Sequence, residues 1–457
     1  MRQDRCKVLV IGAGPGGYVC ALRSAQAGLD TMVVEAAAPG GTCLNVGCIP
    51  SKALIHAADA FHAAVQMAAD NPLGIRASVP SIDLARTMAW KDGIVARLTG
   101  GVTGLMAKAG VRLVQGQACI LDGKSVEVLT AEGPVRIVTE HLVIATGSRP
   151  VDLPDLPFGG DVLSSTGALA LAEVPKRLAV VGGGYIGLEI GTALAKMGAQ
   201  VTVVEAGPRI LPQYDAELTR PVAARLKALG VEVLTGARAI GHAAGVLTVD
   251  TADGRREVGA DKVLVTVGRA PVTQGFGLET LGLTMAGAFV AIDARCRTSM
   301  REVYAIGDVT GEPMLAHRAM AQGAMVAAVI AGGREDWDKR AIPAVCYTDP
   351  EIVTVGLLPG AAKGAAVATF PFAGNGRALS LGRDDGFVRI VHDRDSGLVL
   401  GVQAVGAGVS ELAGEFALAL EMAATLTDLA ETVHAHPTLG ETVQEAALKG
   451  LGRALHL

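Results

Sequence analysis

The strongest constraint on this chain is a glycine-turn unit that occurs twice. Lys7–Gly17 reads Lys-Val-Leu-Val-Ile-Gly-Ala-Gly-Pro-Gly-Gly, and Arg177–Gly187 reads Arg-Leu-Ala-Val-Val-Gly-Gly-Gly-Tyr-Ile-Gly. Each is an apolar strand feeding a turn and then a helical stretch, Tyr18–Ala27 in one case and onward to Met197 in the other. A second strand follows, Thr31–Val34 or Val201–Val204, and ends on an acid. Gly12, Gly14, Gly17 and Glu35 recur as Gly182, Gly184, Gly187 and Glu205 at a constant offset of 170 (182 − 12, 205 − 35). One such glycine pattern says little, because glycine turns are common. Two in register, each with its acid, predict paired dinucleotide sites. The first glycine permits the tight turn, the second lets the backbone approach a pyrophosphate, and the third lets helix and strand pack. The helix N-terminus offers free N–H groups to the phosphates, and the acid accepts from ribose hydroxyls. Two tight turns without a ligand are the alternative.

Each half closes alike, with Leu142–Pro150 containing Ala-Thr-Gly147-Ser and Val263–Pro271 containing Val-Gly268-Arg269. Val303–Val309 is a further strand ending in Gly307-Asp308 and would return the chain to the first unit. From about Ile342 the pattern becomes short strands, Gly386–Val391 and Val399–Val405, followed by helices. The expected fold is therefore α/β, with two Rossmann-like dinucleotide-binding domains, the second inserted in the first, plus a C-terminal α+β domain. The expected boundaries are 1–150 and 272–341 for the first domain, 151–271 for the second and 342–457 for the third.

Composition excludes several classes. A net charge of −5 without a Lys/Arg cluster argues against a nucleic-acid partner. The short basic start before Val8–Ile11 imitates a signal peptide, but Gly12–Gly17 breaks the run too early. No apolar stretch reaches the roughly 20 residues a membrane helix needs, so no membrane association is expected. Seven cysteines is an odd number, and Cys6, Cys20, Cys119, Cys296 and Cys346 stand apart from one another. That is reduced, cytoplasmic usage, in which one close pair reads as catalytic.

The close pair is Cys43 and Cys48, in Gly40-Gly-Thr-Cys-Leu-Asn-Val-Gly-Cys-Ile-Pro-Ser-Lys52, ahead of a helical stretch at Ser51–Ala69. Zinc sites usually space cysteines more closely and need two further ligands, which the neighbourhood lacks, so no metal is expected. Two inert thiols are another reading. A redox disulfide fits best, because the pair can close locally and a helix N-terminus near Cys48 would stabilise a thiolate. Near the other end, His434-Ala-His436-Pro437-Thr438-Leu-Gly-Glu441 offers a near-neutral base with a carboxylate to orient it. The final helix is expected to run to the terminus.

Together these segments resemble the flavoprotein disulfide reductase family along the whole chain, and Cys43–Lys52 resembles its dihydrolipoamide dehydrogenase branch. The resemblance implies FAD at the first dinucleotide site and NAD at the second. It implies that Cys43 exchanges with the substrate disulfide and that Cys48 lies against the flavin, with Lys52 and Glu189 as an ion pair beside it. Gly147, Asp308 and Ala316 would contact FAD, Gly268 and Arg269 the NAD region, and Tyr185 would cover the nicotinamide pocket. His436 would be the acid–base and Glu441 its orienting partner, serving the other subunit of a homodimer; His434 reads as structural. Glu205 favours NAD because a carboxylate repels a 2′-phosphate, although Arg209 nearby could offset this.

The implied partner is the lipoyl-bearing acyltransferase of a 2-oxo acid dehydrogenase complex. Phe370–Ala378, Gln403–Gly406 and His434–Ala447 resemble the form serving branched-chain 2-oxo acids. An NAD(P)H-dependent reductase of another disulfide is the runner-up, and a flavoprotein scaffold without turnover is the non-enzymatic reading. One departure stands out. Gly356–Val367 is about a turn short and holds Pro359, Gly360 and Gly364, so the first helix of the C-terminal domain is expected to be truncated or distorted.

Overall fold

A computed structural model describes residues 2–456. The first sheet has the strand order 112–115, 31–35, 2–11, 133–144, 125–130, 117–122, with 303–305 also paired to 133–144. Its core is parallel: Val8–Ile11 lies between Thr31–Val34 and His141–Ile144, and Val303–Ala305 pairs with Leu142–Ile144. Val8–Ile11 is buried throughout, as an apolar run without alternation requires when helices cover both faces.

The second sheet repeats the plan with the parallel order 232–235, 200–205, 177–181, 262–265, 162–163, and a separate antiparallel meander spans 238–259. The repeat extends to single hydrogen bonds. The Gly12 amide donates to the Val34 carbonyl at 2.8 Å, and the Gly182 amide to that of Val204 at 2.9 Å. The short strands Ser148–Pro150 and Arg269–Pro271, which close the two halves, pair antiparallel with each other.

The C-terminal sheet is antiparallel, in the order 344–346, 351–356, 399–406, 387–393, 365–371, with helices Ala413–Glu421, Leu426–Glu431 and Glu441–Gly450. Thr425 and Asp428 close a capping box at the second of these helices. Two ion clusters tie this domain to the second sheet's helices. Arg389, 2% exposed, reaches Asp215 and places Nη1 2.9 Å from Glu217 Oε2. Asp349 receives Lys196 at 2.7 Å, Arg225 at 2.9 Å and Arg383 at 2.6 Å. Burial opposes the Asp349 charge, yet Lys196, Arg383 and Arg225 hold its carboxyl well below the usual range.

Several expectations need correction. The first strand begins at Arg2, because Arg2–Cys6 pairs with Val135–Thr139 where local apolarity gave no signal. The return strand is only Val303–Ala305, and Gly307–Thr310 is a 3-10 turn. Between Gly356 and Ala365 the expected truncated helix is absent altogether; turns at 359–364 join two strands directly. Gly360 and Gly364 both take φ of 80°, a left-handed conformation that breaks a right-handed helix. The last helix stops at Gly450, short of the terminus.

Candidate active site

The glycine turns divide their labour as backbone geometry requires. A Cβ built on Gly12 would strike the Ala145 carbonyl, and one on Gly182 would lie 2.6 Å from that of Thr266. A Cβ on Gly17 would hit Gly12, and one on Gly187 would come within 2.6 Å of Gly182. By contrast, a Cβ on Gly14 would meet nothing nearer than 3.9 Å and one on Gly184 nothing within 4 Å. The middle glycine of each turn therefore faces open space rather than protein, which is the room a pyrophosphate needs. Glu35 accepts from the Ala13 amide at 2.7 Å and the Ala37 amide at 2.8 Å. Glu205 matches it, accepting from Gly183 and Gly207, each at 2.6 Å. Both acids are thus aimed back at their turns.

A cavity of about 680 Å³ opens in front of the first turn. Gly12, Gly14, Gly17 and Glu35 line one end; Cys43, Cys48 and Lys52 line another part. Gly147, Asp308 and Ala316 come to the same cavity, as do Tyr185, Glu189 and Arg269 from the second unit. Its size, its glycine turn and its continuity with a thiol pair fit an extended dinucleotide such as FAD. Gly182, Gly184, Gly187, Glu205 and Gly268 lie outside it, on the second unit's own turn and closing segment.

Cys43 sits in the short helix Gly41–Asn45, and Cys48 is the first residue of the 21-residue helix Cys48–Ala68. Both are free thiols here. Gly47 between them allows a close turn: a Cβ there would lie 2.9 Å from the Thr42 carbonyl. Cys48 is open to solvent and lines the cavity. The adjacent Cys43 thiol favours the Cys48 thiolate against the partial loss of hydration at the cavity wall, and Lys52 adds to this, lowering the thiol to about 7. Cys43 is pushed up strongly by the same neighbour and by burial. The helix N-terminus acts in the same direction on Cys48. The buried cysteines elsewhere differ: burial raises Cys6 to about 11 and Cys20, Cys296 and Cys346 to about 12.

This asymmetry gives a pH prediction. In the reduced, flavin-free protein, Cys48 becomes thiolate as pH rises through about 7, below the ~8.5 of an ordinary thiol. Iodoacetamide alkylation of Cys48 should follow that midpoint, and Lys52→Met should move it upward. A midpoint at or above the ordinary thiol value would refute the stabilisation.

Lys52 Nζ lies 2.7 Å from Glu189 Oε2, and Glu189 is only 4% exposed. Burial works against the Lys52 charge, but Glu189 more than offsets it, and the ammonium is held above its usual value. The other Glu189 oxygen accepts the Tyr347 amide at 2.9 Å, while Lys52 sits 4.4 Å from the centre of the Tyr347 ring. No local pattern singles out Tyr347, which lies 158 residues from Glu189 on the C-terminal domain's edge. Ser148 was also missed. It bridges Asp308 and Arg269, and its place in the Ala-Thr-Gly-Ser segment was the available clue. Arg209, which could have offset Glu205, donates to the Pro212 carbonyl at 3.0 Å within its own loop.

His436 Nδ1 is 2.8 Å from Glu441 Oε1, and the Thr438 amide donates to the other Glu441 oxygen at 2.8 Å. Burial raises the Glu441 carboxyl, but the Thr438 amide and the His436 ring outweigh it and hold the group below its usual value. The His436 side chain is 80% exposed, and neither it nor Glu441 lines the cavity. His434 is turned elsewhere, held by Glu415 and the Thr432 carbonyl, each at 2.9 Å. The two histidines thus serve different partners.

Among the described residues no helix is long and apolar enough to cross a membrane. Residues 6–323 match the pyridine nucleotide-disulphide oxidoreductase family, and residues 342–447 match that family's dimerisation domain. The chain is 60% identical to dihydrolipoyl dehydrogenase of Pseudomonas aeruginosa over 459 residues, 99% of each chain. It is 46% identical to dihydrolipoyl dehydrogenase 2 of Haloarcula marismortui, covering 98% of each. The crystal structure of LpdA from Mycobacterium tuberculosis superposes with a TM-score of 0.89 at 28% identity, over 98% of this chain and 99% of that one. With its two glycine-turn units, its thiol pair and its C-terminal dimerisation domain, the chain belongs to the pyridine nucleotide-disulphide oxidoreductase family.

Proposed function

We propose that this chain is the flavoprotein that oxidises dihydrolipoyl groups of a 2-oxo acid dehydrogenase complex to the disulfide while reducing NAD to NADH. The observation that carries this reading is the Cys43–Cys48 pair, set in one cavity with the first glycine turn and with Tyr185, Glu189 and Arg269 of the second unit. The full-length likeness to dihydrolipoyl dehydrogenases supports the substrate. Gly12, Gly14, Gly17, Glu35, Gly147, Asp308 and Ala316 would hold FAD; Gly182, Gly184, Gly187, Glu205 and Gly268 would hold NAD. FAD bound there supplies a two-electron relay between dithiol and nicotinamide.

The residues perform the remaining steps. His436, held by Glu441, takes a proton from a dihydrolipoyl thiol, and the resulting thiolate attacks Cys43 Sγ in the oxidised pair. The Cys43–Cys48 bond breaks and Cys48 leaves as a thiolate, which Lys52 and the helix N-terminus favour. The second dihydrolipoyl sulfur displaces Cys43 and closes the lipoyl disulfide. The electron pair now on the two cysteines leaves as their disulfide re-forms and ends on NAD. The sum is one dihydrolipoyl and one NAD converted to one lipoyl disulfide, one NADH and one proton.

His436 lies outside its own chain's cavity, which supports its acting on the cysteines of the partner in a homodimer. The finer assignment to a branched-chain complex rests on the resemblance of Phe370–Ala378 and His434–Ala447. A cytoplasmic setting suits buried thiols such as Cys20 and Cys346. The deciding measurement is turnover of dihydrolipoamide, glutathione and related thiols with NAD and NADP, alongside the flavin spectrum. Dihydrolipoamide with NAD should exceed every other pair. A preference for another disulfide would overturn the substrate, and a flavin-free, inactive chain would overturn the enzyme. Restoring branched-chain, pyruvate and 2-oxoglutarate complexes with this protein would test the finer assignment.

A further inference from the structure

We infer that Ser148 is a positioning residue that couples the flavin-side carboxylate Asp308 to the nicotinamide-side guanidinium Arg269, so that one hydroxyl tunes retention of both nucleotides. Ser148 Oγ donates to Asp308 Oδ2 at 2.5 Å and accepts from Arg269 Nε at 2.8 Å; Arg269 Nη2 donates to the Ser148 carbonyl at 2.7 Å. The directions are forced. A guanidinium only donates, so the hydroxyl must accept from it, and its single proton is left for the carboxylate. A hydroxyl held between opposite charges is polarised by both, and each bond strengthens the other.

The surroundings keep this chain in place. Ser148 is 9% exposed, and the strand it begins pairs with the strand that Arg269 begins. Thr146, two residues earlier, donates to the Val272 carbonyl at 2.7 Å and fastens the same junction. Asp308 follows the return strand, which pairs with Leu142–Ile144 just ahead of Ser148. Side chains 121 and 160 residues along the chain from Ser148 thus converge on its hydroxyl, and all three side chains line the cavity. A lost hydroxyl strips Asp308 of a charge-assisted donor. It also leaves Arg269 anchored by its other nitrogen alone.

This inference rests on the proposed FAD and NAD sites. The experiment uses the flavin-loaded dimer as wild type, Ser148→Ala and Ser148→Thr. Flavin dissociation, the flavin midpoint potential, and KM and kcat for NAD are measured. Loss of one hydrogen bond to charged groups weakens binding by about tenfold. Ser148→Ala should therefore release flavin about that much more readily, shift the potential, and raise KM for NAD more than it lowers kcat. Ser148→Thr keeps the hydroxyl and should restore these properties.

A Ser148→Ala enzyme altered toward only one nucleotide, or toward neither, overturns the coupling. So does a folded Ser148→Thr enzyme as impaired as Ser148→Ala. If the threonine variant does not fold, Ser148→Ala alone decides. Failure of the wild type to hold FAD or to use NAD would refute the functional reading instead, so the two failures are distinct.

Discussion

Replacing His436 by Gln should slow dihydrolipoamide oxidation by about 10²–10⁴-fold, the usual worth of a positioned general base, while the protein keeps its flavin. Glutamine preserves bulk and polarity but cannot take up a proton. The Glu441 carboxylate bonds to Nδ1, which leaves Nε2 of the exposed ring as the atom that would take the proton in the proposed mechanism. Because the ring stands clear of its own chain's cavity, the partner's thiols are its proposed target. Mixed dimers test this directly. A His436→Gln chain paired with a Cys43→Ser chain contains one complete site only if base and thiol come from different subunits. Recovered activity on mixing supports the cross-subunit arrangement; two inactive parents that stay inactive when dimerised place the base within one chain. Near-normal turnover in His436→Gln itself would remove the assignment altogether.

Arg389→Ala should lower stability strongly although it lies away from the site. Breaking a buried ion pair by removing one partner costs about 3–5 kcal/mol, because the remaining groups stay desolvated without compensation. Arg389 is 2% exposed and bonds Glu217 and Asp215 on one side and Gln403 on the other. Asp215 and Glu217 are 36% and 51% exposed and can rehydrate, which places the expected loss at the low end, about 3 kcal/mol. Gln403 is fully buried and would keep an amide oxygen without its donor. The cavity left behind adds to the loss. Asp215 also caps the helix Ala216–Ala228, so the damage should reach the NAD-side unit. The measurement is the denaturant midpoint, followed by probes in both the C-terminal and the NAD-side regions. Arg389→Met, which fills the space, should lie between wild type and alanine. An unchanged midpoint for Arg389→Ala would show that the latch contributes nothing.

Much of the site was legible because its spacing is set by local backbone chemistry. A turn that brings a strand into a helix over a pyrophosphate needs glycine at fixed positions. The repeat of Gly12, Gly14, Gly17 and Glu35 at Gly182, Gly184, Gly187 and Glu205 therefore carries its meaning in the one-dimensional text. Cys43 and Cys48 were legible for the same reason: their pairing closes within one short stretch ahead of a helix. His436 and Glu441 were legible as a local pair, and the structure places them in direct contact.

Other features had no local signature. Arg2–Arg5 is polar throughout, and Arg2–Cys6 becomes strand only because Val135–Thr139 pairs with it. The stretch between Gly356 and Ala365 read as a poor helix, yet only the sheet showed that turns replace it outright. Tyr347 reads as an ordinary strand-flanking aromatic until folding sets its ring beside Lys52 and its amide against Glu189.

The sequence by itself determined the two glycine-turn units, the close Cys43 and Cys48 pair and the His436–Glu441 pair, since each lies within one short stretch of chain. Only the tertiary structure decided which of these share a cavity. It also decided that Ser148 joins Asp308 to Arg269 and that Arg389 locks two domains together. Those arrangements depend on side chains more than a hundred residues apart in sequence, and burial is what makes such bonds strong. Neither the partners nor the burial exists until the three sheets have packed.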